Sequence, residues 1–316
     1  VLSEEQGEYL SDAKSYLQKG EVPRTLSTPK HYAYLKIAEG CKKRCAFCII
    51  PLIKGKLVSK SISQVVKEFQ VLVNEGANEV ILIAQDLGDF GKGSDGGKKH
   101  EESFFELIQA LDKETAIERY RISSIEPNLL TDEIIAWVAQ SKKFMPHFHI
   151  PLQSGSDAVL KLMQRRYNSQ FYRERIELVK KLIPHAAIGV DVIVGSPGET
   201  EAYFQESFAF IHSLDVSYLH VFTYSERAAT KALDIKPIVP IAVRNERNKI
   251  LRNLSYQKLQ YFTEAHRGQN RKVLFESVKK TADGGMEMLE GYSDNYIRVT
   301  TPYKAEWSNQ IVDWTL

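Results

Sequence analysis

The sequence predicts an α/β protein: a partial, TIM-like (β/α)6 barrel followed by a small all-β barrel. Three observations predict it. Six short β-rich runs recur about 20 to 40 residues apart between residues 32 and 225. Segments with apolar residues at helical spacing lie between them, and repeated strand then helix is the pattern of a parallel sheet or barrel. Past residue 265 the pattern changes to short strands separated by turn residues.

Taken in order, residues 1–30 read as a polar helix, "EEQGEYLSDAKSYLQKG", and a Pro/Ser/Thr connector, "VPRTLSTPK". The barrel is expected over 31–264. Its strands are "YAYLKIAEG", "EVILIAQD", "YRISSIEP", "FHIPLQSG", "IGVDVIVGSPGE" and "YLHVFTYS". Helical spacing marks "ISQVVKEFQVLVNEG", closed by a glycine, and "FFELIQALDKE". The run "GKGSDGGKKHEE" at 91–102 reads as a solvated loop. A long basic helix, "RNERNKILRNLSYQKLQYFTEAHRGQ", leads into the β domain expected over 265–316, with strands in "KVLFESV", "GMEMLEGYSDNYIRVTT" and "NQIVDWTL".

Composition bounds the class without naming it. Hydrophobic residues make up 43% and charged residues 26% of 316, as in a globular protein with a sizeable core. No apolar run reaches the roughly 18 residues a spanning helix needs. A net charge of +2 excludes little, because basic residues can gather on one face of a balanced chain.

All three cysteines, Cys41, Cys45 and Cys48, stand in "AEGCKKRCAFCIIP". An odd number of thiols in one window is no disulfide framework. Structural zinc needs a fourth ligand, and no second pair or nearby histidine cluster supplies it. Three thiolates in a short loop suit three irons of a 4Fe–4S cluster, leaving the fourth iron open for chemistry. Unpaired thiols beside such a cluster point to a reducing, cytoplasmic setting.

The cysteine spacing, the aromatic Phe47 before its last member and the α/β pattern after it resemble the radical S-adenosylmethionine (SAM) superfamily. The series "EGCKKRCAFCIIP", "KGKLVSKS", "IPLQSGSDAVLKLMQRRY", "DVIVGSPGETEAYF" and "FTYSERAAT", in this order, is similar to the methylthiotransferase family, whose C-terminal barrel is a TRAM domain. Residues of about 30–92 look most like enzymes that methylthiolate an aspartate of a small-subunit ribosomal protein. From about 103 onward the chain looks most like enzymes acting on threonylcarbamoyladenosine in tRNA. The chain reads as a mosaic, natural or engineered. Family members also carry an N-terminal domain with three more cysteines and a second 4Fe–4S cluster, which this sequence does not contain.

The resemblance implies that Cys41, Cys45 and Cys48 ligate three irons, that the amino and carboxylate groups of SAM chelate the fourth, and that one electron from a reducing donor yields a 5′-deoxyadenosyl radical. Phe47 is placed against adenine or in the core. Gln85 and Asp86, Ser124 and Glu126, and Gln153 and Ser154 close the second, third and fourth strands, where barrel enzymes present polar groups to a ligand. Arg165 is assigned to the SAM carboxylate or to the surface. Asp191 interrupts an apolar strand, where an unpaired carboxylate is costly, and is assigned to ribose hydroxyls. "GSPGET" reads as a turn and helix start. Arg227 in "YSERAAT" is a substrate candidate, although Ala229 replaces a family glycine of suspected positive φ. Tyr292, Tyr296 and Arg298 are RNA-binding candidates or fillers of the small barrel. Seven basic and seven acidic residues leave 267–316 neutral. Arg244 to Lys258 read as a solvated helical face with phosphate binding as the rival.

The leading reading is a methylthiotransferase acting on threonylcarbamoyladenosine in tRNA, with the ribosomal-protein aspartate as the rival substrate. A catalytically incomplete RNA-binding fragment is the reading from another class.

Overall fold

The computed structural model describes residues 31–91, 102–114, 116–280 and 287–316. The helix expected within 1–30 and nearly all of the 91–102 loop lie outside them. The chain runs β1 (Tyr32–Lys36), β2 (Ala38–Glu39), α1 (Ile50–Ile53), β3 (Val58–Ser59), α2 (Ile62–Asn74), β4 (Glu79–Ile83), α3 (Phe104–Asp112), β5 (Arg119–Ile122), α4 (Asp132–Gln140) and β6 (His147–His149). It continues through α5 (Asp157–Leu162), α6 (Ser169–Leu182), β7 (Ala187–Val194), α7 (Glu201–Ser213), β8 (Tyr218–Thr223) and α8 (Ile241–Ala265) to β9 (Asn270–Lys280), β10 (Glu287–Ser293), β11 (Arg298–Pro302) and β12 (Ile311–Thr315).

All six expected barrel strands form. They pair in parallel as β1-β4-β5 and β6-β7-β8, and parallel bridges Tyr120 to Phe144 and Ser124 to His149 join the two halves. The order is that of the chain, as in a partial (β/α)6 barrel. Helix starts are written locally: Ser61 with Gln64 and Ser103 with Glu106 form capping boxes, and Thr131, Asn168 and Thr200 cap α4, α6 and α7. Thr200 therefore confirms the turn-and-helix reading of "GSPGET". Alternate strand residues such as Ala33, Leu35, Val80, Leu82, Ile188 and Val190 pack outward against the helices in one continuous core. The other alternation, Tyr32, Glu79, Ile81, Arg121, His147, His149, Tyr218 and His220, lines a lumen of about 240 Å³.

The C-terminal β domain is an antiparallel sheet in the order β11-β10-β9-β12, with an irregularity between Glu290 and Gly291. It closes over its own core of Val273, Phe275, Leu289 and Val299, edged by Trp307 and Trp314. The sheet docks at the N-terminal end of the barrel strands. Arg119 Nη2 donates to Lys272 O (3.1 Å), Arg121 Nη1 to Asp294 O (3.4 Å) and Asn295 Nδ2 to His185 O (3.2 Å).

The basic helix is α8, and the structure corrects the reading of its charges. Arg244 and Arg247 are 3% and 4% exposed, so this part of the helix is no solvated face. Arg244 pairs with Glu226 (2.7 Å) and donates to the carbonyls of Val239 and Tyr224; Arg247 pairs with Glu199 (2.6 Å) and Glu201 (2.9 Å). Guanidinium forks tie α8 to the loops after β7 and β8, which commits both arginines to internal ion pairs.

Candidate functional site

The cysteine loop joins β2 to α1 at the C-terminal end of the barrel strands. Gly40 has φ +79°, and a Cβ there would lie 2.3 Å from Lys56 O, so the approach to Cys41 requires glycine. Cys41 N donates to Gly55 O (3.2 Å), Ala46 N to Met163 O (3.1 Å) and Ala232 N to Ala46 O (2.9 Å). Backbone bonds thus hold the loop against the end of α5 and the turn after β8. All three thiols are free and partly exposed.

Two cationic side chains from "CKKRC" and "LMQRRY" organise this mouth. Arg165 Nη1 donates to Cys45 Sγ (3.1 Å), Nη2 to Glu126 Oε1 (2.6 Å) and Nε to the Tyr167 hydroxyl (3.1 Å). Its side chain is 4% exposed, which excludes the surface-arginine alternative. Lys43 is buried, pairs with Asp86 and reaches Glu126 Oε2 at 2.6 Å and Asp89 at 3.7 Å. Burial pulls its ammonium down, but Asp86 and Glu126 more than offset this and hold it above its ordinary value. Asp86 Oδ1 also accepts from Glu126 N (3.2 Å) and Gly88 N (3.2 Å).

The donor set fits an iron–sulfur cluster on its chemistry. Three thiols share one ordered loop, Lys43 N donates to Cys41 Sγ (3.4 Å) and the Arg165 guanidinium donates to Cys45 Sγ. Such donors offset thiolate charge and tune a cluster. Burial pushes the Cys41 and Cys45 thiols up, with Lys43 and Arg165 partly opposing it, so metal loading must displace their protons.

The remaining candidates divide between the mouth and the foot of the barrel. Phe47 lines a cleft with Met163, Pro197, Tyr224 and Ile235. Gln85 Nε2 donates to Glu39 Oε1 (3.3 Å). The Ser124 carbonyl accepts from Leu87 N (3.1 Å), placing the ends of β4 and β5 together. Gln153 is buried with φ +73°, its N–H on Asp191 O (2.8 Å) and its carbonyl accepting from Ile193 N (2.9 Å). A side chain held in that region at a strand end marks strain of the kind found at ligand sites. Ser154 is buried and accepts from Ser156 N (3.2 Å). Arg227 is exposed after β8 and donates to Ser225 Oγ (3.0 Å). Ala229 keeps positive φ, at +61°, despite its Cβ.

Asp191 meets His149 Nε2 at 2.8 Å inside the lumen. Tyr292 and Tyr296 are at the opposite end from the cysteines. Tyr296 stacks on His147 (4.3 Å between ring centres) and Tyr292 (4.7 Å) and lies 4.8 Å from the Arg121 guanidinium. Arg298 is exposed and paired with Glu290. Sequence reasoning missed Lys43, His149 and His220. Only the "HFH" alternation, which puts His147 and His149 on one strand face, gave a signal for the histidine of β6.

The parallel barrel and the thiol loop at its mouth define an iron–sulfur SAM fold, and comparison agrees: the pattern of the Radical SAM superfamily matches residues 35–211. The chain belongs to that superfamily, whose cofactors are a 4Fe–4S cluster and SAM. It is similar to ribosomal protein uS12 methylthiotransferase RimO of Chlamydia pneumoniae, 42% identical over 283 residues, covering 90% of this chain and 58% of the relative. It is similar also to threonylcarbamoyladenosine tRNA methylthiotransferase MtaB of Bacillus subtilis, 38% identical over 290 residues, covering 90% and 63%. The chain thus spans less than two thirds of the length of these relatives. Among solved structures, the radical SAM methyltransferase TsrM of Kitasatospora setae shares the fold with TM-score 0.51 at 14% identity, over 66% of this chain and 40% of that one. Among the described residues no helix is long and apolar enough to cross a membrane.

Proposed function

We propose that this chain is the radical-generating and substrate-recognising part of a methylthiotransferase acting on threonylcarbamoyladenosine in tRNA. The observation that carries the enzymatic reading is the three-cysteine loop with Arg165 bridging Cys45 and Glu126 at the barrel mouth. Bound there, the cluster and SAM would supply one-electron radical chemistry at an unactivated carbon. Cys41, Cys45 and Cys48 would hold the cluster. Arg165 orients Cys45 and Glu126, and the Lys43 ammonium fixes Asp86 and Glu126, so the polar wall facing the cofactors needs little reorganisation. Phe47, Gln85, Ser124, Gln153 and Ser154 complete that wall in this reading. Arg227, exposed at the same mouth, meets the substrate.

Residues from about 103 onward, including the β domain, support the tRNA substrate, as does the likeness to the Bacillus subtilis tRNA enzyme. The higher identity to the Chlamydia pneumoniae enzyme favours a second substrate, an aspartate of a small-subunit ribosomal protein. A single assay separates them. After anaerobic reconstitution with iron and sulfide, dithionite-driven 5′-deoxyadenosine is measured alone, with threonylcarbamoyladenosine-bearing tRNA and with the ribosomal protein. Stimulation by the tRNA is expected. Stimulation by the protein alone would transfer the reading to the second substrate. RNA binding without any deoxyadenosine would leave an RNA-binding fragment.

A further inference from the structure

We propose that the barrel lumen contains a second metal site, in which His149, Asp191 and His220 bind one divalent transition-metal ion. The nitrogen and oxygen atoms these residues offer all lie within 4.8 Å of one another. Three adjacent parallel strands put them there. Asp191 and His220 are register partners on β7 and β8, so their side chains leave the same face side by side. His149 pairs with Gly189, two residues before Asp191, and period two returns it to that face.

A hydrogen-bonded His149 and Asp191 pair explains only part of this arrangement. His220 brings a second imidazole, its ring edge-on to His149 at 5.4 Å, and makes no hydrogen bond through its side chain among the described residues. Two imidazoles and one carboxylate are a borderline N₂O donor set, which suits Zn²⁺, Fe²⁺, Co²⁺ or Mn²⁺ and leaves coordination positions open to the lumen. His147, in the same lumen, is 6% exposed, shares a hydrogen bond between Nε2 and the Tyr218 hydroxyl (2.7 Å) and has a buried Nδ1 without a partner. Binding inserts the ion between His149 Nε2 and Asp191 Oδ1 and releases any proton shared there.

The thiol loop competes for the same metals, so the test removes it. The full chain carrying Cys41→Ser, Cys45→Ser and Cys48→Ser, stripped of metal, is titrated with Co²⁺ and followed by visible ligand-field absorbance. The expected result is one equivalent bound without sulfur-to-metal charge transfer, and affinity weakened at least about tenfold by Asp191→Asn or His220→Gln. If the triple variant does not fold, Zn²⁺ calorimetry on the cluster-loaded chain and its Asp191→Asn variant reads the same difference. The proposal is overturned by absence of binding, or by binding that neither variant weakens.

Discussion

At the mouth of the barrel, the Arg165 guanidinium spans Glu126 and Cys45 Sγ, while the Lys43 ammonium meets Asp86 and Glu126 and its backbone N–H donates to Cys41 Sγ. At the foot, Glu79 takes Arg121 at 2.8 and 3.2 Å and Arg119 at 3.5 Å, and the β domain covers all three. Both networks are buried and both mix arginine with glutamate. The difference is where the spare donors point: to a ligand loop at one end and to backbone carbonyls of the next domain at the other. Charge at the mouth therefore meets the thiol loop, and charge at the foot meets the β domain.

The sharpest way to break that comparison is at the mouth. Cys45→Ser should abolish the cluster absorbance after reconstitution and reduce 5′-deoxyadenosine to background, with the far-UV spectrum unchanged. Retained deoxyadenosine would detach the chemistry from the thiol loop. At the foot, Glu79→Ala leaves two buried guanidinium groups without their carboxylate and should cost about 3–5 kcal/mol of stability, read by urea unfolding. A loss well under 1 kcal/mol would show the foot to be wet. Arg165→Lys keeps the charge but loses the fork that spans Cys45 and Glu126. It should slow deoxyadenosine formation about 10- to 100-fold while leaving the unfolding midpoint close to that of the parent.

Tyr296 sharpens the account of docking. Its ring stacks on His147 and Tyr292 and meets Arg121, contacts worth about 2 kcal/mol together. Its backbone sits at φ +65°, which disfavours a side chain by about 1 kcal/mol. Tyr296→Ala should thus destabilise by about 2 kcal/mol and Tyr296→Gly by about 1 kcal/mol less, since glycine relieves the backbone while losing the same ring. Equal losses in the two variants would remove the backbone term.

The barrel was legible because hydrophobic alternation and helix caps are local. Each of the six strands announced itself within eight to twelve residues, and the caps Ser61, Ser103 and Thr131, which the sequence reading did not single out, stand directly before their helices. Cys41, Cys45 and Cys48 were legible for the same reason, being spaced within one turn of chain. Lys43 was not, because nothing in "CKKRC" says which cation folds inward to Asp86 and Glu126, two strands away. The arginines of α8 misled for a related reason: a helix's polar face looks solvated until the loops that reach over it, carrying Glu199 and Glu226, are placed. His220 and His149 stand 71 positions apart in the sequence, and only the register of β6, β7 and β8 brings them to one level of the lumen.

The smallest expected effect tests how dry the foot is. Glu276 on β9 lines the lumen, and its carboxyl is pushed up to about 7 from an ordinary 4.5, chiefly by burial and then by Glu79, with Arg121 and Arg119 opposing. Between about pH 4.5 and 7 the folded chain holds a proton there that the unfolded chain has released. Stability from this group is therefore full below the unfolded value and falls as pH rises through the folded one, with no further loss above it. The group is partly open to solvent, which reduces the effect to the order of 1 kcal/mol. Glu276→Gln should leave stability unchanged near pH 4.5 and raise it by that amount at pH 8, measured by urea unfolding at both. Parallel pH profiles for parent and variant would mean that Glu276 is ionised in the folded chain, that water reaches the foot, and that docking there relies on the tyrosine stack and the Arg119, Arg121 and Asn295 hydrogen bonds without a contribution from this carboxyl.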